Sequence, residues 1–213
     1  MVHHGRKCIF IRIIKTAGLS VNKVLGQEKE QIICGGHAPA KKIKKRVSEA
    51  TWENYFKFSF VRNPWDKMVS QWWYNGHPKV RGRNIYTSKV ETFREYILYF
   101  AEGGRVTAKR NDPRCTPWLV DDSGKILVDF VGRFENLEED FNFVCQQLTP
   151  LKHEEGKPWP PKLPHLNGAK HRRKRTGWTD KPYQDYYDDE TKEIIAREFK
   201  DDINLFGYKF END

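Results

Sequence analysis

Two short stretches of this sequence set a cation beside small or hydroxyl-bearing residues at the end of an apolar run. That combination suits an anion. The first is Lys15-Thr16-Ala17-Gly18-Leu19-Ser20, directly after the run KCIFIRII. Lys15 supplies a mobile positive charge, Thr16 and Ser20 supply hydroxyl donors, and Gly18 lets backbone approach a ligand closely. A helix reads on from it through VNKVL, so unsatisfied N–H groups and the positive end of a helix dipole would meet the same ligand. GxxxxGK[ST] is absent, so this is not a Walker A loop. Taken alone, a small-residue turn with a surface lysine explains the stretch as well.

The second stretch is FSFVRNPWDKMVSQWW, which puts Arg62 at a strand end and Ser70 two turns into the following helix. A guanidinium fork matches phosphate in a bidentate manner. In a parallel sheet, ligands gather outside the carboxyl ends of the strands. Arg62 and Lys15 are therefore expected to face one crevice, which a capped helix with an arginine at its entry would not require.

A third candidate is His37 in GGHAPAKKI, after the apolar piece QIICGG. A neutral imidazole is suited to taking a proton from a hydroxyl near neutral pH. A loop or helix-cap histidine is the competing explanation. Glu135, in RFENL, is the reserve candidate for a base, and Glu138 close by leaves a helix-capping role open. Cys34 and His37 make a lone CxxH with no second pair, which argues against zinc.

The elements that must position these groups follow from periodicity. KCIFIRII, QIICGG, FKFSFVR (56–62, with Phe56, Phe58 and Phe60 alternating) and ILVDFVGRF read as strands. Asn63 is a good N-cap and Pro64 fits the first helical position. Trp65, Met68, Val69 and Trp72 then repeat as one helical face. HAPAKKIKKRV, a segment capped by Ser88 and running to about Ala101, the Leu137–Leu148 stretch and 189–203 read as further helices. A turn falls at Asp121–Gly124. Residues 150–182 hold six prolines and many cations and read as a long loop. Strands alternating with helices predict an α/β fold with a largely parallel sheet, and 213 residues suit one domain spanning 1–213.

Composition narrows the classes. Only 38% of residues are hydrophobic, but 14% are aromatic, enough to fill a core with few side chains and to set disorder aside. The formal charge of +9 favours anionic partners: nucleic acid, membrane surface, anionic polysaccharide or a nucleotide-type ligand. Cys8 and Cys145 sit in apolar runs and read as small buried hydrophobes. No apolar stretch reaches the ~18 residues of a membrane span and no signal peptide opens the chain, so the expected compartment is the cytoplasm.

KTAGLS resembles the 5′-phosphosulfate loop of the sulfotransferases, whose usual form is PKTxxTS. VRNPWDKMVS is similar to their 3′-phosphate motif, RNPxxRxxS. VGRFENLEEDF and YQDYYDDETKEIIAREFKDDINLFGYKF resemble later blocks of the carbohydrate sulfotransferase branch. Three positions depart from the pattern: Ile14 stands for the proline before the lysine, Leu19 for the usual threonine, and Lys67 for a common arginine.

The resemblance implies a P-loop-like three-layer α/β sandwich around a largely parallel sheet. It implies the donor 3′-phosphoadenosine 5′-phosphosulfate, the product adenosine 3′,5′-bisphosphate, no metal, and an acceptor hydroxyl on a saccharide. It assigns the loop Lys15, Thr16, Ala17, Gly18, Leu19 and Ser20 to the phosphosulfate, Arg62 and Ser70 to the 3′-phosphate, and a base to the place of His37. The family's late basic loop corresponds to HRRKRTGW, making Arg172 and Arg173 candidates for the 3′-phosphate or an anionic acceptor. A solvated run explains them equally.

Two rivals remain at this point. A P-loop kinase shares the strand–loop–helix logic but needs a full Walker A and a magnesium-holding aspartate. A basic module binding nucleic acid or a heparin-like chain fits the charge and leaves both anion motifs unexplained; nucleic acid is not the expected partner.

Overall fold

The apolar run after Lys7 forms a buried strand, β2 (Cys8–Ile11), paired with a short β1 (Val2–His3). The computed structural model describes residues 1–26, 36–78, 90–107, 112–148, 162–164 and 181–211. They fall into two compact units, Met1–Arg62 with Cys115–Leu166, and Asn63–Arg114 with Asn167–Asp213.

The first unit holds a four-stranded sheet in the order β1-β2-β3-β4, with β3 at Phe56–Val61 and β4 at Phe130–Arg133. β1 is antiparallel to β2, and the other pairs are parallel, with Phe10 opposite Phe58 and Phe58 opposite Phe130. The fold is thus α/β with a mostly parallel open sheet. β3 lies between two parallel neighbours and is buried along most of its length, which is why it reads as an apolar run. Phe10 and Phe58 stack at 5.0 Å, and Phe60 meets both edge-on. Helix α1 (Gly18–Leu25) adds Val21 and Leu25 to this core. Phe141, Val144 and Cys145 join it from the helix at Leu137–Gln147. Gly132 is required here: a Cβ would lie 2.5 Å from the Phe60 ring.

Helices α2 (Ala40–Lys44) and α3 (Glu49–Asn54) lie between β2 and β3 in this unit. In the second unit, α4 (Pro64–Gln71) and α5 (Phe93–Ala101) follow. The chain then returns to the first unit with α6 (Thr116–Leu119) and α7 (Leu137–Gln147), the source of Phe141, Val144 and Cys145. The C-terminal helices α8 (Asp189–Glu198) and α9 (Lys200–Phe206) complete the second unit, after a 3₁₀ turn at Tyr183–Tyr186. Its core gathers Trp65, Met68, Val69 and Trp72 with Phe93, Tyr96, Ile195 and Phe199, as the helical stripe predicts. After α4 the backbone widens into a π-helical turn, Trp72–Gly76.

Several element boundaries differ from expectation. The strand expected over ILVDFVGRF begins only at Phe130, because the Asp129 carboxylate takes the Lys57 N–H at 2.7 Å in place of a ladder carbonyl. The helix expected from Ser88 begins at Phe93, capped by Thr92 with a reciprocal bond from Glu95. Ser88 itself lies outside the described residues, as does the QIICGG segment up to residue 35. The expected single helix over 189–203 breaks at Phe199, whose φ of −110° departs from helical geometry while its ring stays fully buried. Cys8 and Cys145 are buried as expected, and burial pushes the Cys8 thiol up to about 12. Among the described residues, no helix is long and apolar enough to cross a membrane.

Candidate active site

The first unit carries Lys15 and Arg62 on segments that leave its sheet, after β2 and β3, and His37 just ahead of α2. β2 ends at Ile11, and the next residues make a tight loop into α1. Within it Lys15 (φ 63°) and Ala17 (φ 61°, ψ 12°) both adopt the left-handed conformation. For residues with a Cβ this costs on the order of 1–3 kcal/mol each, a strain that clusters at ligand clamps. Ala17 is the N-cap of α1 and offers no side-chain acceptor to the first helical N–H groups. Those amides therefore suit an anion.

The side chains of this loop divide their work. Thr16 is buried and its hydroxyl donates to the Ile13 carbonyl at 3.2 Å, which holds the loop together. Ser20 is buried in the first turn of α1, and Leu19 is exposed. Gly18 is tied to a residue that sequence reasoning passed over. A Cβ there would lie 2.7 Å from Cγ of Arg12, so the glycine makes room for the arginine stem. At the other end of α1, the buried Arg6 donates to the carbonyls of Leu25 at 3.1 Å and Val24 at 3.2 Å. A cation thus sits on the negative end of the helix whose positive end faces the loop.

Arg62 leaves the end of β3, the parallel neighbour of β2. Its Nη1 donates to the Lys15 carbonyl at 3.2 Å, and its guanidinium lies 3.9 Å from the centre of the Phe134 ring. The two anion-ready segments are therefore physically joined. Phe134 belongs to the GRFENL block, and the aromatic seat it gives Arg62 could not be read from local spacing.

His37 is half-buried ahead of α2. Its Nδ1 lies 2.9 Å from the main-chain oxygen of Arg12. A carbonyl only accepts, so Nδ1 carries the proton, and in the neutral ring Nε2 keeps the lone pair. The Trp118 ring meets the imidazole edge-on at 6.3 Å, and Gly36 brings Arg12 Nη1 to within 3.7 Å of where a Cβ would stand. Arg12 thus touches the starts of both the Gly18 and His37 segments, which no motif in the sequence signals.

The remaining candidates are placed as follows. Ser70 is buried on α4, in the second unit. There Asn63 caps α4 through Oδ1, accepting from the Trp65 and Asp66 amides, and its Nδ2 donates to the Lys209 carbonyl at 2.8 Å. Glu135 is exposed in the turn after β4. Of the three carboxylates in the first turn of α7, Glu138, Glu139 and Asp140, that of Asp140 accepts from the Arg133 amide and the Asn136 side chain. Arg172 and Arg173 lie outside the described residues. Among the described residues, no group of three or more His, Cys, Asp or Glu is arranged to hold a metal ion.

Comparisons with known proteins bear on this arrangement. An uncharacterized protein of Archaeoglobus fulgidus is 34% identical over 110 residues, covering 52% of this chain and 81% of that protein. No solved structure matches the chain. The sulfotransferase family matches residues 1–209, from the first strand of the sheet to the tail beyond the last helix, and the chain belongs to that family.

Proposed function

We propose that the chain transfers the sulfuryl group of 3′-phosphoadenosine 5′-phosphosulfate to a hydroxyl of a saccharide, with 1–213 acting as one sulfotransferase domain of P-loop-like sandwich architecture. One observation carries the reading: Arg62 donates to the Lys15 carbonyl, so the ends of adjacent parallel strands bring two cations to one edge of the sheet. A donor with phosphates at both the 5′ and 3′ positions needs two such anion sites.

The bound donor would supply an activated sulfuryl group with a nucleotide phosphate as its leaving group. His37 would take the acceptor hydroxyl's proton at Nε2, the nitrogen left basic by the bond from Nδ1 to Arg12. Lys15 would face the charge that develops on the leaving phosphate, together with the amides of Ala17, Gly18 and Leu19, while the Ser20 amide is bonded to the Ala17 carbonyl at 2.9 Å. The Thr16 hydroxyl proton is committed to Ile13, so its contribution would come from the backbone. Arg62 would hold the 3′-phosphate. For Ser70, Arg172 and Arg173 the support is motif position alone.

Calorimetry with adenosine 3′,5′-bisphosphate and AMP tests the donor assignment: the bisphosphate should bind more tightly, and equal affinities would remove the 3′-phosphate site. Labelled-sulfate transfer to saccharides, phenols and lipids tests the acceptor. Transfer to phenols with none to saccharides would overturn the carbohydrate assignment.

A further inference from the structure

The candidate base has a neighbour that neither anion motif accounts for. His37 is half-buried, while Trp118 on α6 is 2% exposed and meets it edge-on, with ring centres 6.3 Å apart and planes at 77°. The bond from Nδ1 to the Arg12 oxygen fixes one axis of the imidazole and by itself leaves the tilt about that axis open. A proton leaving an acceptor hydroxyl must meet the Nε2 lone pair, which lies in the ring plane, so tilt matters as much as tautomer. An edge-to-face aromatic pair resists tilting, because the positive rim of one ring sits against the negative face of the other.

Trp118 is itself held from several sides. Its amide donates to the Cys115 carbonyl at 3.0 Å, and Cys115 and Leu119 are fully buried on the same short helix. Beyond α6 the chain folds back: Val120 bridges Ile126, and the Leu127 amide donates to the Leu119 carbonyl at 2.8 Å. Asp121 closes this turn by accepting from the Ser123 and Lys125 amides at 2.9 Å and 3.0 Å. The returning arm runs into β4, and the Asp129 amide donates to the Lys57 carbonyl of β3 at 2.8 Å. On its other side α6 packs against α2, the helix that His37 precedes, and Asp122 pairs with Lys41 at 2.9 Å. That pair is solvent-screened and contributes little stability, but it sets the hairpin in register with the helix. The sheet, the hairpin and α2 thus place one rigid indole against the imidazole.

We infer that Trp118 is a positioning residue for the base: the α6 hairpin fixes the tilt of His37, so that Nε2 stays presented while Nδ1 stays bonded to Arg12. The inference rests on the sulfotransfer reading and adds to it a residue that no motif in the sequence marks. The effect of Trp118 passes through His37 and needs no contact with donor or acceptor.

The test uses the full chain with Trp118→Met, which fills much of the space without an aromatic rim, and Trp118→Phe, which keeps a ring. Turnover is followed as labelled-sulfate transfer to the best acceptor of the saccharide, phenol and lipid series, and bisphosphate affinity by calorimetry. In Trp118→Met kcat should fall about tenfold, the scale of one aromatic contact, with bisphosphate affinity unchanged. Trp118→Phe should recover most of that loss. Imidazole nitrogen NMR reads the ring directly, with the His37 signals assigned by their absence in His37→Ala. The original chain should hold the proton on Nδ1, and Trp118→Met should share it between both nitrogens. Unchanged His37 nitrogen shifts in folded Trp118→Met would overturn the proposal, as would a loss of turnover that Trp118→Phe does not recover. If Trp118→Met does not fold, the original chain still decides: cross-relaxation between the His37 and Trp118 ring protons supports the contact, and its absence overturns it. Failure of the original chain to transfer sulfate to any acceptor would overturn the sulfotransfer reading, while the nitrogen shifts would still judge the positioning.

Discussion

The His37 imidazole donates its Nδ1 proton to the main-chain oxygen of Arg12 across 2.9 Å, over a sequence separation of 25 residues. Because the partner is backbone, no substitution of Arg12 removes the acceptor itself, and the tautomer with a basic Nε2 is built into the loop that follows β2. His37→Ala should lower turnover by roughly 10²–10⁴ with little change in bisphosphate affinity. The wild-type rate should rise with pH as an imidazole gives up its proton, and the variant should lose that limb. A stable, active His37→Ala with an unchanged pH profile would transfer the role to Glu135.

Lys15 sits in strained backbone in the loop between β2 and α1 and is only half-buried. Its ammonium contributes little to the core. Lys15→Ala should cost about 10²–10³ in turnover, the effect typical of losing one donor to developing charge. Thermal unfolding should stay close to the wild type. Near-normal turnover in the folded variant would move the catalytic centre elsewhere.

Arg62 is aimed by two contacts, the Lys15 carbonyl and the Phe134 ring. Arg62→Lys keeps the charge and loses the planar fork that both contacts use. Bisphosphate binding should weaken by about 1.5–3 kcal/mol, the scale of a charge-assisted bond, with AMP affinity barely affected. Phe134→Leu should give a smaller loss in the same direction. Calorimetry reads both, and an equal loss for AMP would show that Arg62 does not meet the 3′-phosphate.

Glycine to alanine at a helical position ordinarily stabilises a protein by up to about 1 kcal/mol. At Gly18 the sign should reverse, because the new methyl would meet Arg12 Cγ at 2.7 Å. Overpacking of this kind costs about 1–3 kcal/mol. Turnover should fall as well, since the Arg12 backbone positions His37. A Gly18→Ala protein with a raised melting temperature would show that the arginine stem moves aside freely.

Asp188 caps α8, accepting from the Thr191 hydroxyl at 2.6 Å and its amide at 2.7 Å. The hydroxyl bond, then the amide bond, with help from Arg94, hold the carboxyl below its ordinary value. The folded state therefore favours the ionised form. This contribution is complete above the unfolded carboxylate range and is lost as pH falls through the depressed folded value. Asp188→Ala should cost about 1 kcal/mol near neutral pH. The gap between the two proteins should narrow on acidification in denaturant titrations, and a gap that stays constant would deny the cap its charge.

What the chain determined by itself is what depends on near neighbours. The Asn63-Pro64 start of α4 was legible because a cap and its amides lie within three residues, and the alternating phenylalanines of β3 because one strand has one period. Lys15, Arg62 and His37 stood out as candidates because each follows an apolar run. Tertiary structure decided which groups those residues meet. The Arg12 carbonyl that orients His37, the Phe134 ring under Arg62, and the tail carbonyl of Lys209 bound by Asn63 come from distant segments. It also decided where elements stop: Asp129 shortens β4 by bonding to Lys57, and Phe199 divides the last helix while remaining buried. Periodicity registers which face of an element is apolar, but a side chain's partner is chosen by packing across the fold, where sequence separation carries no information.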